Sequence, residues 1–285
     1  NMKVFSQLVD LFLAGKRILF ITGAGLSCAS GIRSYRSGPR AIWSDKVLEW
    51  GTTEKFRKDP SLWWSHYWLQ THNMDEFCSA KPNAGHYAIT DLSKFCDAHV
   101  ITQNIDSLHL KSGLSPECLV ECHGRIGKYR CLSPCCPFSS SRILSIPDLS
   151  VFSTPSEYPS APFSPPLCPS CGNAVFPMAL MFDENYNTHG FFKSDTMEEW
   201  ISSHDAYVFV GTSFAVGVTS QCVDTARRKR RPAFSINISN EEMKGIRNIV
   251  GKAEEILPAL RDEVKRRAET KAGRPVLWIV SKSKK

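Results

Sequence analysis

Two glycines at a strand-to-helix turn are the first residues whose spacing indicates chemistry. Gly23, Ala24 and Gly25 directly follow residues 18–22, an apolar run with the length of a buried strand. Glycines at such a turn let the main chain approach a phosphate, and the next helix offers free N–H groups. A dehydrogenase fingerprint requires a third glycine where Cys28 stands. The turn therefore predicts a phosphate site of another kind, with a tight turn lacking a ligand as the alternative.

A cysteine cluster in the middle of the chain has the spacing of a metal site. Cys168 and Cys171 are two residues apart, a knuckle in which two thiolates hold one zinc ion. Their partners are Cys131 with either Cys135 or Cys136, and we prefer Cys136 because the wider turn lets it reach the metal. Four thiolates leave no open coordination position, so the predicted zinc is structural. The 11 cysteines are an odd number, which favours a reducing compartment over a complete disulfide framework.

The elements that must position these groups alternate along the chain. Such alternation predicts an α/β fold with a Rossmann-like, doubly wound parallel sheet. Residues 33–60 are rich in Gly, Arg and Pro and are predicted to be an irregular loop. Residues 124–180 hold the cysteine cluster and are predicted to be a smaller inserted zinc-binding module. The predicted strands are 18–22, 98–102, 119–122, 178–182, 206–210 and 233–238, and the predicted helices 4–14, 63–69, 83–95, 195–203, 219–229 and 253–267.

Composition limits the class of protein. Hydrophobic residues make up 42% of the chain, which is enough for a buried core and argues against global disorder. No apolar run approaches the roughly 18 residues of a membrane span, so we expect no membrane contact. The net charge of +7 is concentrated in residues 227–231 and in the tail. A solvated helix end is the simplest interpretation of that run, and an acidic partner is the alternative.

Six ordered motifs resemble those of the sirtuin family. They are Gly23 to Arg36, Pro82 to His86, Thr102 to Asp106, Glu121 to Gly124, Gly211 to Ser213, and Ile236 with Asn237. The resemblance implies one catalytic domain over residues 1–285 that acts as an NAD-dependent protein-lysine deacylase. Its large part would comprise about residues 1–32, 80–123 and 181–267, and its zinc module about 124–180. A mobile cofactor loop with short helices would span about 33–79, followed by a tail at 268–285.

The resemblance also implies roles for individual residues. In the sirtuin mechanism the substrate's acyl oxygen attacks the sugar, and His123 would be the base that activates a ribose hydroxyl. A histidine suits this task because its ordinary pKa lies near neutrality. Asn104, also implied as catalytic, would hold the nicotinamide ribose with Gln103, whereas His86 is expected to be core. The other implied cofactor contacts are Gly23, Ala24, Gly25, Ser27, Tyr35, Arg36, Ile105, Asp106, Gly211, Thr212, Ser213, Asn237, Lys252 and Ala253, with helix capping as a further role for Asp106.

Substrate recognition is where this chain departs from the family pattern. Residues 176–184 correspond to the strand that pairs with an extended acylated peptide. Arg33 replaces the usual proline, which we expect to loosen its loop and bring a charge near the phosphates. Tyr67 is followed by Gln70 where members selective for acidic acyl groups carry arginine, so we expect acetyl or longer neutral acyl groups. The implied substrate-binding residues are Met181, Phe182, Asp183 (glycine in the family) and Glu184.

The cofactors expected from this pattern are NAD, as co-substrate, and one structural zinc. The expected partner is an acylated lysine in a protein or peptide, and we do not expect nucleic acid as a direct ligand. We expect an intracellular monomer in a reducing compartment, the cytoplasm or nucleus before the mitochondrion. Two other functions remain open: NAD-dependent ADP-ribosyl transfer or NAD hydrolysis, and an NAD- or ADP-ribose-binding module with weak catalysis.

Overall fold

Two sheets organise the computed structural model, which describes residues 2–34, 45–72, 74–139, 142–146, 163–241 and 243–272. The strands are β1 Ile18–Thr22, β2 Ala98–Thr102, β3 Leu119–Glu121, β4 Gly124–Cys131, β5 Leu144–Ser145, β6 Val175–Ala179, β7 Ala206–Val210, β8 Ala233–Asn237 and β9 Arg247–Val250. The larger sheet is parallel, in the order β3-β2-β1-β7-β8-β9. The smaller one is antiparallel, in the order β5-β4-β6. This confirms the predicted doubly wound sheet with a smaller inserted module.

Helices cover both faces of the parallel sheet because its central strands are apolar on both sides. In β1, Ile18 and Phe20 pack on one face against the helices Met2–Leu13, Ala84–Phe95 and Ala253–Ala272. Leu19 and Ile21 pack on the other face against the helices Ser194–Ser203 and Gly217–Arg228. The helices of the described residues are α1 Met2–Leu13, α2 Ala24–Ser27, α3 Asp45–Trp50, α4 Thr53–Lys58, α5 Pro60–Trp63, α6 Leu69–Thr71, α7 Met74–Ser79, α8 Ala84–Phe95, α9 Leu108–Lys111, α10 Ser194–Ser203, α11 Gly217–Arg228 and α12 Ala253–Ala272. No helix among these residues is long and apolar enough to cross a membrane.

The strand order changes direction beside β1. From β1 the chain builds outwards through β2 to β3, and it later returns to place β7 on the other side of β1. Because the chain leaves β1 and β7 towards opposite sides of the sheet, a crevice forms at the carboxyl ends of these two strands. Open α/β sheets bind ligands in such a crevice. The glycines after β1 and after β7 therefore meet at one point.

A second core lies between the small sheet and the short helices of residues 45–79. Trp63, Trp64 and Trp68 are each at most 1% exposed. The Trp64 ring lies 5.9 Å from that of Tyr129 in β4, and the Trp63 ring 5.1 Å from that of Phe176 in β6. The aromatic run is thus a core element that joins the helices to the module.

Several predicted elements were wrong in their extent. Residues 45–58, predicted to be irregular, form α3 and α4, each too short to show a helical period. The predicted helix 63–69 contains a π-helical turn, Trp64–Trp68. The predicted strand 178–182 is instead β6, which ends at Ala179 because Met181 N turns back to donate to the Glu184 carboxylate at 3.1 Å. Strands β4, β5 and β9 were not predicted.

Two buried histidines make the stability of this fold sensitive to acid. His86 is 0% exposed, as expected of a core residue, and its ring lies 5.2 Å from that of His109. Burial lowers the pKa of His86 to about 4 and that of His109 well below its usual value. Unfolded histidines bind protons below about pH 6.5, so the unfolded state takes up more protons between about pH 6.5 and 4.

The free energy of unfolding is therefore expected to fall as the pH drops through that window. At pH 5 the loss from His86 alone is roughly 1–2 kcal/mol. Urea titrations at pH 7.5 and 5.0 measure this decrease in the free energy of unfolding. The control is His66→Gln, which removes an exposed histidine and should show the same decrease as the parent protein. Equal stability at the two pH values would contradict the neutral, buried state of these rings.

Candidate active site

The glycine turn after β1 is interlocked with the turn after β7. Gly23 N donates to Val210 O at 3.0 Å, and Gly25 N donates to Gly211 O at 2.9 Å. A Cβ atom on Gly25 would lie 2.8 Å from the Cα of Gly211, and Gly211 itself has a φ of +57°. Such closeness leaves room for glycine alone. The two turns consequently form one main-chain surface at the crevice.

Replacing Gly25 with alanine is expected to force these turns apart. Overpacking of this kind costs about 1–3 kcal/mol, which urea unfolding measures directly. Gly190→Ala is the matched control, because a Cβ there meets no atom within 4 Å. If the free energy of unfolding fell equally in the two variants, the close approach at Gly25 would be unimportant for stability.

Polar side chains behind the turn join the first and third sequence motifs. Ser27 Oγ donates to Asp106 Oδ2 at 2.6 Å, and Asn104 Nδ2 donates to Gly23 O at 3.0 Å and to Ser27 Oγ at 3.1 Å. Asp106 Oδ1 accepts from Leu108 N at 2.9 Å, so this carboxylate satisfies the first N–H group of α9, although the N-cap position itself is occupied by Ser107. Burial raises the pKa of Asp106 against the effect of these bonds. The side chains of Ser27, Asn104 and Asp106, called the polar triad below, are thereby held in fixed positions.

His123 lies beside the polar triad with one ring nitrogen engaged. Its Nδ1 donates to Gln103 O at 3.0 Å, and Gln103 Nε2 in turn donates to Thr212 Oγ1 at 3.2 Å. Because a carbonyl can only accept, the proton resides on Nδ1 and Nε2 carries the free lone pair. Burial lowers the pKa of His123 to about 4, although the bond to Gln103 acts in the opposite direction. The imidazole is therefore neutral and able to accept a proton near neutral pH.

Tyr186 is a site residue that the sequence analysis missed. Its ring is nearly parallel to that of His123, at 4° with 6.0 Å between centroids, and its hydroxyl lies 3.5 Å from His123 Nε2. The sequence did contain a signal for it. Tyr186 lies only two residues after the implied substrate segment, so its hydroxyl had to be near the site. Tyr186 forms one wall beside the basic nitrogen.

Most other implied cofactor residues lie at the same edge of the sheet. Thr212 is buried, and its main-chain oxygen accepts from Asn237 Nδ2 at 3.1 Å, while Ser213 is exposed. Lys252 pairs with Glu255 at 3.4 Å. Ala24 and Ala253 begin α2 and α12, Ile105 lies between β2 and α9, and Tyr35 and Arg36 lie outside the described residues.

Arg33 does not play the part expected from its charge. Its Nε lies 2.8 Å from Glu76 Oε1, and its NH2 donates to Thr71 O at 3.4 Å. The charge that was expected near the phosphates is therefore paired with a carboxylate of α7. The loosening of the loop stays a prediction, because residues 35–44 lie outside the described residues.

The four sulfurs of the cysteine module converge as a zinc site requires. The Sγ atoms of Cys131 and Cys171 are 3.5 Å apart, as are those of Cys136 and Cys168, and all four lie within 4.8 Å of one another. A tetrahedral ion with bonds of about 2.3 Å puts its sulfurs about 3.8 Å apart, so the donors fit zinc. Cys135 is exposed and outside this group. The cluster is a structural zinc site, and it contains the preferred Cys136.

The implied substrate segment lies against His123. Leu180 N donates to His123 O at 3.0 Å, and Phe182 N donates to Gly51 O at 3.0 Å. Met181 is buried, whereas Phe182 is 47% exposed. The segment thus ties the histidine to the loop before α4 and presents one aromatic ring to solvent.

Glu184 turns inwards. It forms an ion pair with Arg130 of β4, and the side chains of the two residues are 5% and 2% exposed. Breaking a buried pair leaves an uncompensated charge, so this contact holds the segment to the small sheet.

The Asp183 carboxylate caps the start of α4, a helix that is distant from it in the sequence. The carboxylate accepts from Thr53 N and Glu54 N at 2.9 and 3.2 Å, and from the Thr53 hydroxyl at 2.7 Å. Partial burial would raise its pKa, but these bonds outweigh it and lower the pKa of Asp183. Because it satisfies free N–H groups of α4, it links the substrate segment to that helix.

Replacing Asp183 with glycine, the family's residue, is expected to lower the free energy of unfolding by about 1–2 kcal/mol. Asp183→Asn keeps an oxygen acceptor and is expected to lose less in the same denaturant titration. If both variants were as stable as the parent, the capping contact would contribute nothing.

Comparison with known proteins agrees with this geometry. The model of the Sir2 family matches residues 23–218. "NAD-dependent deacetylase sir2E" of Dictyostelium discoideum is 41% identical over 98% of this chain and 82% of its own length. "NAD-dependent protein deacylase 2" of Pyrobaculum aerophilum is 33% identical over 93% and 98%. A solved Sir2 enzyme superposes with a TM-score of 0.71 at 25% identity, covering 94% of this chain and all of that one. The chain belongs to the Sir2 family.

Proposed function

We propose that this chain is an NAD-dependent protein-lysine deacylase. The observation that supports this most is that the glycine turn, the polar triad and His123 are connected through Gln103 and Asn104 at the carboxyl ends of β1, β2 and β3. The relatives named as NAD-dependent deacetylase or deacylase match almost the whole chain. An ordinary hydride-transfer site is not supported, because Cys28 stands where its fingerprint requires a third glycine.

The donor groups at the crevice fit a dinucleotide. The N–H groups of Gly23 and Gly25 already donate to Val210 O and Gly211 O, so the glycine turn would contribute close approach of the main chain to a diphosphate. Thr212, Ser213 and Asn237 would offer hydroxyl and amide groups beside it. Asp106 and the main chain of Ile105 would hold a carboxamide, because an amide requires both an acceptor and a donor. When bound, NAD supplies the glycosidic bond that is broken.

Protein residues would then control water and protons. His123 Nε2 would accept the proton of a ribose hydroxyl, with its tautomer held by Gln103 O. Asn104 would orient the ribose, since its amide is already fixed by Gly23 and Ser27. The segment Met181 to Glu184 would border the acylated peptide, with Phe182 presented to it.

The products identify the reaction. Incubation of the protein with NAD and acyl-lysine peptides, followed by mass spectrometry, is expected to show nicotinamide and O-acyl-ADP-ribose formed together and only with acylated peptide. Nicotinamide release without such a peptide would indicate NAD hydrolysis or ADP-ribosyl transfer. Binding of NAD with no turnover across the panel would indicate a binding module.

The acyl group would be neutral. Tyr67 is buried beside Trp63, and Gln70, one turn later, is exposed and carries no charge. A carboxylate on the acyl chain would therefore find no guanidinium at this spacing. Acetyl and longer apolar peptides are expected to turn over faster than succinyl peptides, and a preference for succinyl would reverse this assignment.

The setting would be a reducing intracellular compartment, the cytoplasm or nucleus before the mitochondrion, with the chain as a monomer that does not bind nucleic acid directly. The 11 cysteines support the first point, since none of them forms a disulfide bond in the described residues. Fluorescence microscopy of the tagged protein and light scattering of the purified protein test the compartment and the oligomeric state.

A further inference from the structure

A basic groove lies at the end of the parallel sheet opposite to the candidate active site. It has a volume of about 560 Å³ and is formed by α1, the end of α11, and the first residues of β8 and β9. Its charged lining consists of Asp10, Arg227, Arg230, Arg231 and Arg247. Because the strands are parallel, their amino ends are far from the carboxyl ends where Gly23, Asn104 and Asn237 lie. The groove is therefore separate from the site proposed for NAD.

The charges of the groove are unbalanced. Its lining carries four guanidinium groups against the single carboxylate of Asp10. That carboxylate is already engaged, since Arg267 NH1 lies 3.2 Å from it. A groove with such an excess of one sign attracts ligands of the opposite sign.

Two of the arginines are fixed by protein groups. Arg227 donates through Nε and Nη2 to Lys244 O at 3.0 and 2.7 Å, and its Nη1 lies 3.8 Å from the carboxylate of Asp224. Arg231 donates through NH1 to Ser202 O at 2.8 Å. These contacts hold the walls in place and leave part of each guanidinium for a ligand.

The other two arginines have no acidic partner among the described residues. Arg247 lies over the Phe234 ring, 5.4 Å from its centroid, which orients the plane of its guanidinium. Arg230 is exposed and has a φ of +52°, a left-handed conformation that non-glycine residues seldom adopt. Two guanidinium forks with free donors thus border one groove.

We propose that this groove binds a small molecule carrying two or more phosphate groups. Guanidinium forks match phosphate oxygens in pairs, and several together favour a ligand with clustered negative charge. A volume in the range of about 300–1,000 Å³ suits a small ligand. Leu11, Ala226 and Pro232 line the groove as well, and they would contact the apolar part of such a molecule.

Inorganic tripolyphosphate is a suitable probe, titrated calorimetrically into the full chain at about 0.15 M ionic strength. The parent protein is expected to bind it, and the double variant Arg230→Gln with Arg247→Gln is expected to bind at least about tenfold more weakly. Deacylation should be unchanged, which separates this groove from the glycine turn. The matched control is Arg228→Gln, an exposed arginine of the same basic run that does not line the groove.

Three results would overturn the proposal. The first is an absence of tripolyphosphate binding by the parent protein. The second is an equal loss in Arg228→Gln and in the double variant, which would assign binding to the diffuse charge of the run. The third is a single-stranded oligonucleotide that binds more tightly than tripolyphosphate and is weakened by all three substitutions, which would indicate a nucleic-acid surface. Thermal melting checks that every variant is folded.

Discussion

Replacing His123 with asparagine is expected to lower kcat/KM for deacylation by about 10²–10⁴-fold, the range for loss of a positioned acid or base. The ring nitrogen beside Tyr186 is the only one free to accept a proton, because Nδ1 is held by Gln103 O. Asparagine is smaller and polar, so the fold should persist. Initial rates at acetyl-peptide concentrations below KM, with saturating NAD and products detected by mass spectrometry, measure the effect.

Two further measurements show whether the lost activity reflects catalysis or the binding of NAD. Affinity for NAD, measured by calorimetry, should change little, since His123 holds none of the implied phosphate contacts. The control His66→Asn alters an exposed histidine outside the site and should retain full turnover. Formation of O-acyl-ADP-ribose by the His123 variant at the parental rate would remove this residue from the mechanism.

Replacing Cys168 with serine is expected to abolish stoichiometric zinc binding and unfold the small sheet. Structural zinc contributes about 10–16 kcal/mol of apparent binding free energy in small modules, so the loss should lower Tm by at least about 10 °C. The loss of zinc should also destabilise the helices of residues 45–79, because β4 and β6 contact the core around Trp63 and Trp64. Elemental analysis gives the zinc content, and thermal melting gives the stability.

The neighbouring cysteines provide a matched pair. Cys136→Ser should behave like the Cys168 variant, whereas Cys135→Ser changes an exposed thiol outside the cluster and should keep one zinc per chain. The reverse result, zinc lost with Cys135 and kept with Cys136, would reassign the fourth ligand.

Much of the fold was predictable because its signals are local. The strands β1, β2 and β7 are short apolar runs bounded by polar or glycine residues, and their predicted limits agree with the structure. Helices of more than two turns, such as α8, show a periodic apolar face that sequence reveals directly. By contrast α3 and α4 have six residues each, too few to repeat a period, and α4 is stabilised by the tertiary cap from Asp183.

The glycine turn and the cysteine knuckle were determined by the sequence itself, because residue type and short spacing specify what each can do chemically, whereas the role of His123 came from the resemblance of its motif to the sirtuin family. Only the tertiary structure decided which of them meet. The approach of Gly25 to Gly211, the parallel rings of Tyr186 and His123, and the selection of Cys136 over Cys135 depend on how distant segments are placed by the sheet order. The same holds for the basic groove, where α1, α11 and β9 bring separate charges together. Contacts between residues far apart in the chain arise from packing and register, which no local pattern encodes.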